Sequence, residues 1–451
     1  MGIKVCKFGG SSVANSEQIK KVAEIILQDK KRKIIVVSAP GKINKNEEKI
    51  TDLLIKCAND YLQKNTISFC VDQIKERFLN ICLGLNIDTK LAYEAENDLI
   101  KRLKTFFVDE KKYLDSIKAL GEEYSAKILA DYLNNLGHKC KFVDPREVGL
   151  LVDENFGNAN ILESSYIALS CLKGIEEIVV FPGFYGYTQK GEIATFSRGG
   201  SDLTGSILAN VVDAELYENF TDVDGLFAVD PYIIKNPVQI KEITYRELRE
   251  LSCAGFTVFH DEAMYPVMKK NIPVEIKNTN NSFYEGTFVV PDRKLESGKI
   301  VGIACSKGFC SINVEKYLMN KEKGFGRKLL QILEEKNLSY EHTPSGVDNI
   351  SVVLKQKQIS KELFEEIKKE IFEKLNPDTV SLEHNIALIS VVGEGMKHIP
   401  GMAFRATYNL AKVKVNIEMI SQGASEISMI FGIKENDAEM AVNALYKAFF
   451  E

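Results

Sequence analysis

The segment KIIVVS at residues 33–38 decides the fold class, because it is a short apolar run with almost no alternation of polar and apolar residues. Residues 3–8, 139–143 and 178–182 read as further strands of this kind. Strands that are apolar on both sides occur in parallel sheets covered by helices on both faces. Since helical patterns separate these segments, the sequence predicts an α/β fold with a mostly parallel sheet between helices.

Residues 47–136 are predicted to be almost entirely helical, because the stretch is rich in Lys, Glu, Leu and Ile and contains few helix breakers. We interpret it as a helical insertion that packs on the edge of the sheet. The alternative is an exposed helix bundle that binds a partner.

The C-terminal third predicts two smaller modules after a polar, turn-rich linker at residues 291–299. In the first module the predicted elements are strand 310–315, helix 324–336, strands 338–343 and 349–354, and helix 361–374. In the second they are strand 385–392, helix 401–411, strands 413–421 and 426–431, and helix 438–449. This repeated order indicates two ferredoxin-like units. The predicted domains are 1–295, 305–380 and 381–451.

Composition excludes several classes of protein. The formal net charge of -5 gives no general electrostatic reason to bind nucleic acid or an anionic membrane. The nine cysteines form no C-x-x-C pair, so we expect a reduced cytoplasmic protein without a zinc site or disulfide framework. The first residues do not form a basic segment followed by a long apolar one, and no run of about 18 apolar residues occurs. We therefore expect neither a signal peptide nor a membrane span.

Two glycine pairs follow predicted strands and are candidates for phosphate binding. In KFGGSS, residues 7–12, Lys7 offers a point charge, and the glycines let backbone N–H groups approach an anion. In FSRGGSD, residues 196–202, Arg198 can bind a carboxylate with two hydrogen bonds, and Asp202 can hold lysines or a metal. The alternatives are a plain turn for the first pair and a capped helix for the second.

A third candidate is the sequence TDVDG, residues 221–225, which follows an apolar strand. Ligands bind at such strand ends in open α/β sheets, although Asp-Gly chemistry also suits a simple hairpin. Glu122 in GEEYSA, residues 121–126, either binds a substrate ammonium group or only compensates a helix dipole. The five histidines do not have the spacing of metal ligands, and no Ser-His-Asp or Cys-His arrangement is indicated. The mechanism that remains is catalysis by positioning and charge stabilisation, without a covalent intermediate.

Together these motifs resemble the aspartate kinases (aspartokinases) of the amino-acid kinase superfamily, over essentially the whole chain. The resemblance rests on the order of KFGGSSV, GEEYSA, PGF (residues 182–184), FSRGGSD and TDVDG. The helical insertion is similar to that of the long-insertion subgroup, which includes lysine-sensitive enzymes. The resemblance implies transfer of the γ-phosphate of ATP to L-aspartate, with Mg²⁺ bridging the β- and γ-phosphates. The product would be 4-phospho-L-aspartate, the first intermediate toward lysine, threonine and methionine.

The same resemblance implies a role for individual residues. Lys7 would stabilise the transferring phosphoryl group, and Asp202 would organise the charged groups around the phosphates. The residues implied on the substrate side are Thr51, Glu122, Phe184, Arg198 and Ser201. Those implied on the ATP side are Lys7, Gly9, Gly10, Ser11, Ser38, Thr221, Asp222, Phe227 and Asp230.

The two C-terminal modules look like tandem ACT modules, which bind amino acids. Their strongest marker is EMISQGASEI at residues 418–427, and Met319, Gly324 and Phe325 match the place where feedback inhibitors bind in the family. The resemblance favours lysine as the effector, with threonine possible. It also implies a homodimer or a dimer of dimers through these modules.

Three residues depart from the family's pattern, all on the ATP side: Phe227 and Tyr232, where a tyrosine and an arginine are usual, and Thr257, where a lysine is usual. They motivate an alternative function, a catalytically weakened kinase that acts as an amino-acid-binding regulatory subunit. ADP release with aspartate distinguishes the two hypotheses.

Overall fold

The computed structural model of the protein describes residues 2–42, 44, 47–67, 69–105, 109–256 and 261–451. The strands in chain order are β1 (Lys4–Phe8), β2 (Arg32–Val37), β3 (Cys140–Phe142), β4 (Ile178–Pro182), β5 (Tyr185–Tyr187), β6 (Ile193–Thr195), β7 (Leu216–Thr221), β8 (Leu226–Phe227), β9 (Gln239–Ile240), β10 (Glu242–Thr244), β11 (Val274–Asn278), β12 (Thr287–Val290), β13 (Gly302–Glu315), β14 (Asn349–Lys355), β15 (Thr379–Val392), β16 (Met419–Gln422) and β17 (Ser428–Lys434).

The helices in chain order are α1 (Ser16–Gln28), α2 (Ile50–Lys64), α3 (Phe69–Leu85), α4 (Lys90–Lys104), α5 (Glu110–Lys118), α6 (Leu120–Asn135), α7 (Glu163–Ala168), α8 (Gly200–Val211), α9 (Tyr245–Cys253), α10 (Asp261–Lys269), α11 (Phe325–Glu335), α12 (Lys361–Leu375), α13 (Met402–Lys412) and α14 (Ala438–Phe450). In the described residues, no helix is long and apolar enough to cross a membrane.

The chain divides into two compact units. The first contains residues up to 226 together with 241–245 and 257–293, and the second contains residues 227–240, 246–256 and 294–451. The nine cysteines all lie in the described residues, and no disulfide bond joins any two of them.

The first unit is built on a sheet with the strand order β10-β12-β11-β7-β1-β2-β4-β3. Its neighbouring strands run parallel except for β11 and β12. The segment that decides the fold class forms β2, which lies between β1 and β4, and its residues Ile34–Val37 are fully buried. The predicted mostly parallel α/β sheet is confirmed.

The helical insertion packs into the core of the first unit. Phe78 of α3 and Leu99 of α4 are fully buried, in the same apolar cluster as Cys6 and Ile35 of the sheet. Burying a side chain of this size contributes about 1.5–3 kcal/mol to folding. The structure therefore favours the packed insertion over the exposed helix bundle.

The second unit contains a sheet with the order β14-β13-β15-β17-β16, in which every neighbouring pair is antiparallel. Leu329 of α11 and Ile367 of α12 are fully buried in one cluster with Ile312 and Val352 of the sheet. Strand β15 continues from Thr379 to Val392 and therefore crosses the predicted boundary between the two modules, at 380/381. The division into two modules stays a prediction.

Four predicted strands of the second unit differ clearly in the structure. The strands predicted at residues 310–315 and 385–392 begin earlier, as β13 and β15. Residues 338–343 form only an isolated bridge, between His342 and Val353, and Pro344 directly afterwards has no N–H to extend a ladder. The predicted strand 413–421 begins only at Met419, because Lys414 has a positive φ of 58° that interrupts extended backbone.

Candidate active site

The ends of β1 and α8 bring two predicted site residues together. The Nζ atom of Lys7 lies 2.6 Å from Oδ1 of Asp202, and both residues are only 8% exposed. The two residues are far apart in the chain, so their convergence depends on the parallel sheet. The ion pair holds the ammonium group of Lys7 in a fixed position, as electrostatic stabilisation of an anionic group requires.

The local sequence explains the position of Asp202. Gly199 precedes α8 with a φ of 86°, which is accessible to glycine at little cost. This conformation starts the helix at Gly200 and places Asp202 in its first turn. A carboxylate there is favoured by the helix dipole.

The glycine pair after β1 forms a tight turn at the end of the sheet. The N–H of Gly9 donates to the Phe220 carbonyl at 3.0 Å, and the N–H of Ser38 donates to the Phe8 carbonyl at 3.1 Å. A Cβ at Gly9 would lie 3.6 Å from Nζ of Lys7, and one at Gly10 would lie 2.8 Å from the Ala39 carbonyl oxygen. Gly9 therefore lies close to the lysine charge, as a phosphate site requires, and Ser11 follows in the same turn.

Glu122 lies in the first turn of α6 and is buried. Its Oε2 atom has no hydrogen-bond partner among the described residues. Burial raises the pKa of Glu122 to about 8, even though the N–H of Ala39 donates to its carboxylate. Gly121 packs on Ala39 and Ile50, which brings the start of α2, and therefore Thr51, next to this turn. The buried carboxyl group of Glu122, with one oxygen that accepts no hydrogen bond in the described residues, suits a ligand that carries N–H donors.

The PGF segment lies against the start of α8. A Cβ at Gly183 would lie 2.6 Å from Oγ of Ser201, so only glycine permits this contact. Phe184 has a φ of 78°, and its N–H donates to Oγ1 of Thr204 at 3.1 Å. Such a conformation costs a non-glycine residue about 1–2 kcal/mol and is held here by the packed helix.

Arg198 lies on the exposed side of the same turn. No ion pair or hydrogen bond of its side chain occurs within the described residues. Its guanidinium group is therefore available to a carboxylate ligand.

The TDVDG turn is held by a residue at the end of β11, which lies outside the predicted motifs. Asn278 Nδ2 donates to Oδ1 of Asp224 at 2.9 Å. The next residue, Thr279, has its hydroxyl group 2.7 Å from that of Ser12 and so contacts the KFGGSS segment instead. Thr221 Oγ1 donates to Oδ1 of the adjacent Asp222 at 3.2 Å. The polar run that follows Ile276 at the end of β11 is the signal that could have identified this support.

Other predicted residues lie in the second unit or outside the described residues. Phe227 and Asp230 belong to the second unit, as does Tyr232, whose side chain is fully exposed. Thr257 lies outside the residues that the structure describes.

The predicted effector residues lie close together in the second unit. Met319 is buried in a short helical turn before α11, and Gly324 precedes that helix with a φ of 78°. Phe325 is 4% exposed, and Lys316 Nζ lies 5.6 Å from the centre of its ring. In the part of the chain that the structure describes, no group of three or more His, Cys, Asp and Glu side chains could hold a metal ion.

Comparison with known proteins gives similarity over the whole chain. The amino acid kinase family matches residues 2–278, and the ACT domain family matches residues 389–449. Aspartokinase 3 of Bacillus subtilis is 48% identical over 448 residues, which cover 99% of both chains. Chloroplastic aspartokinase 1 of Arabidopsis thaliana is 31% identical over 462 residues, 99% of this chain and 80% of the relative. The crystal structure of aspartate kinase from Clostridium acetobutylicum superposes with a TM-score of 0.87 at 41% identity, covering 99% of this chain and all of that one.

Proposed function

The chain belongs to the aspartokinases of the amino acid kinase family, and on this premise we propose that it transfers the γ-phosphate of ATP to the side-chain carboxylate of L-aspartate. The observation that carries the proposal is the buried pair of Lys7 and Asp202 beside the turn that contains Gly9 and Gly10. Its expected product is 4-phospho-L-aspartate, a precursor for the biosynthesis of lysine, threonine and methionine. The proposed compartment is the cytoplasm.

In this reaction an oxygen of the aspartate side chain attacks the γ-phosphorus, and the bond from that phosphorus to the β–γ bridging oxygen breaks, which releases ADP. Lys7 offsets the negative charge of the transferring group, while Asp202 fixes the lysine. The backbone of Gly9 and Gly10 would line the phosphates. Gly9 has no Cβ beside the ammonium group of Lys7, and the lack of a Cβ at Gly10 lets the turn pack on the Ala39 carbonyl. Mg²⁺, when bound with the nucleotide, would neutralise charge between the β- and γ-phosphates.

The test is ADP release by the purified full-length protein with aspartate, ATP and Mg²⁺. We expect turnover that depends on aspartate and gives an acyl phosphate. The opposite result, no turnover together with tight binding of lysine, would favour the weakened kinase that acts as a regulatory subunit. The departures at Phe227, Tyr232 and Thr257 make this assay necessary.

Arg198→Ala is expected to raise the aspartate KM about 10–100-fold, since a hydrogen bond to a charged group contributes about 1.5–3 kcal/mol. We propose that the exposed Arg198 guanidinium binds the α-carboxylate of aspartate, so kcat and the ATP KM should change little. Arg146→Ala is the control, because Arg146 is also exposed but donates to the Gly191 carbonyl. An effect of Arg198→Ala confined to ATP would contradict this assignment.

Feedback regulation by an end-product amino acid is the second part of the proposal. It is supported by the ACT match and by the Clostridium acetobutylicum enzyme, which is an allosteric enzyme. We propose that Met319, Gly324 and Phe325 contact the effector, that lysine is favoured and threonine possible, and that the active form is a homodimer or a dimer of dimers. An effector acts only if it binds the active and inactive states unequally.

Gly324→Ala is expected to raise the effector concentration for half-inhibition at least tenfold, while kcat without effector stays the same. The φ of 78° at Gly324 strains any residue with a Cβ, although the nearest atom to that Cβ would be 3.9 Å away. Gly401→Ala is a matched control, because Gly401 also precedes a helix with a positive φ, 88°, but is outside the proposed effector site. Equal loss of inhibition by lysine or threonine in both variants would refute the location.

A further inference from the structure

We propose that Asn219 is a positioning residue that fixes the orientation of the Asp202 carboxylate during phosphoryl transfer. The proposal rests on the proposed function, because it assigns a role within the same site. Nδ2 of Asn219 donates to Oδ1 of Asp202 at 2.9 Å, and Nζ of Lys7 lies 2.6 Å from the same oxygen. One carboxylate oxygen therefore receives two donors from two different strands.

The sheet fixes both donors relative to each other. Lys7 of β1 and Asn219 of β7 are partners in the parallel register, so their side chains leave the same face of the sheet side by side. Asn219 is 3% exposed, and its neighbours on this face of the strand are Tyr217 and Thr221. A buried amide needs a partner, and here its partner is the proposed catalytic carboxylate.

A second residue of β7 holds the same part of α8. The hydroxyl group of Tyr217 donates to the main-chain carbonyl of Asp202 at 3.1 Å. A Cβ at Gly205 would lie 2.5 Å from that hydroxyl oxygen, so this approach requires a glycine in the helix. Tyr217 thus fixes the backbone of Asp202, which leaves the rotation of its carboxylate to Asn219.

The chemistry of the amide explains why a neutral donor suits this position. Asn219 occupies Oδ1 without adding charge, so Lys7 remains the cation beside the carboxylate. In the described residues no hydrogen bond reaches Oδ2 of Asp202, so both donors act on Oδ1 alone. Without Asn219 the carboxylate could rotate, and Lys7 would follow it away from the transferring group. Such a displacement of Lys7 should lower kcat more than it raises the KM values of the substrates.

The experiment compares Asn219→Leu and Asn219→Asp with Asn210→Leu. Asn210 lies at the other end of α8 and is 6% exposed, and its amide donates to the Pro266 carbonyl, so the control removes a buried amide bond remote from Asp202. We expect kcat to fall at least tenfold in both Asn219 variants, with the KM values for aspartate and ATP changed less than threefold. Asn219→Asp keeps the shape but cannot donate as a carboxylate.

A kcat for Asn219→Leu within twofold of that for Asn210→Leu would overturn the proposal. A crystal structure of Asn219→Leu supplies a readout independent of activity, in which we expect a rotated Asp202 carboxylate. An unchanged carboxylate would overturn the proposal even if kcat falls. If the wild-type protein shows no turnover, the proposed function fails, but this crystallographic comparison still decides the role of Asn219.

Discussion

Lys7→Ala is expected to lower kcat about 10²–10³-fold, a loss of about 3–4 kcal/mol of transition-state stabilisation, as for other groups that stabilise developing charge. The substitution removes the cation beside the glycine turn and leaves Asp202 buried without its ion-pair partner. The unpaired carboxylate also destabilises the fold, so thermal unfolding has to be measured together with activity.

Lys4→Ala is the control for this prediction. Lys4 belongs to the same strand, but its ammonium group lies 2.9 Å from Asp29. Because Lys4 is three residues before Lys7, the two side chains leave opposite faces of the strand. We expect kcat close to that of the wild type. Full turnover in folded Lys7→Ala would remove Lys7 from the mechanism.

Glu122→Gln is expected to raise the aspartate KM about 10–100-fold at pH 8 and to abolish its pH dependence. Because burial raises the pKa of Glu122 to about 8, the free wild-type protein holds this carboxyl group mostly protonated at pH 7. An ammonium ligand needs the carboxylate. The wild-type KM should therefore fall roughly tenfold for each unit of pH rise below 8 and level off above it.

The stability of the ligand-free protein gives a second readout of the Glu122 pKa. It should fall as the pH rises, whereas aspartate binding should improve. A raised pKa means that folded Glu122 binds its proton more tightly than the unfolded chain does. The resulting stability is fully present below about 4.5, the ordinary pKa of Glu, and is lost as the pH rises through about 8. We expect the melting temperature of the ligand-free wild type to fall over this range more than that of Glu122→Gln.

Glu123→Gln is the matched control for the pH experiment. Glu123 is also buried, but Arg102 and Lys127 outweigh that burial and hold the pKa of its carboxyl below the ordinary value. Its substitution should reduce stability without changing how the aspartate KM depends on pH. The same pH profile in wild type and Glu122→Gln would contradict the assignment of Glu122.

The sheet of the first unit could be predicted from the sequence because its strands are short apolar runs. Such runs are typical of parallel strands that are buried on both faces. Lys7 and Asp202 were candidate site residues because of the glycine pairs beside them and the resemblance to the aspartate kinases, and the structure places their side chains 2.6 Å apart. The sequence did not predict that Asn219 and Tyr217 reach Asp202, because such contacts depend on strand register and on space at Gly205.

The C-terminal region was predicted less well for a local reason. Alternating apolar patterns continue past Lys414, and nothing in composition marks its positive φ, so the strand was placed too early. The long strands β13 and β15 were also predicted too short, because the pattern of Gly302–Glu315 includes polar residues in its middle.

Phosphoryl transfer beside Lys7 and Asp202 is tested by a crystal structure of the full-length protein with aspartate, Mg²⁺ and a non-hydrolysable ATP analogue. We expect the aspartate side chain in line with the γ-phosphate, Lys7 Nζ within hydrogen-bond distance of a γ-phosphate oxygen, and the α-carboxylate on Arg198. A complex with the γ-phosphate bound remote from Lys7, or with aspartate remote from both Arg198 and Glu122, would contradict the account.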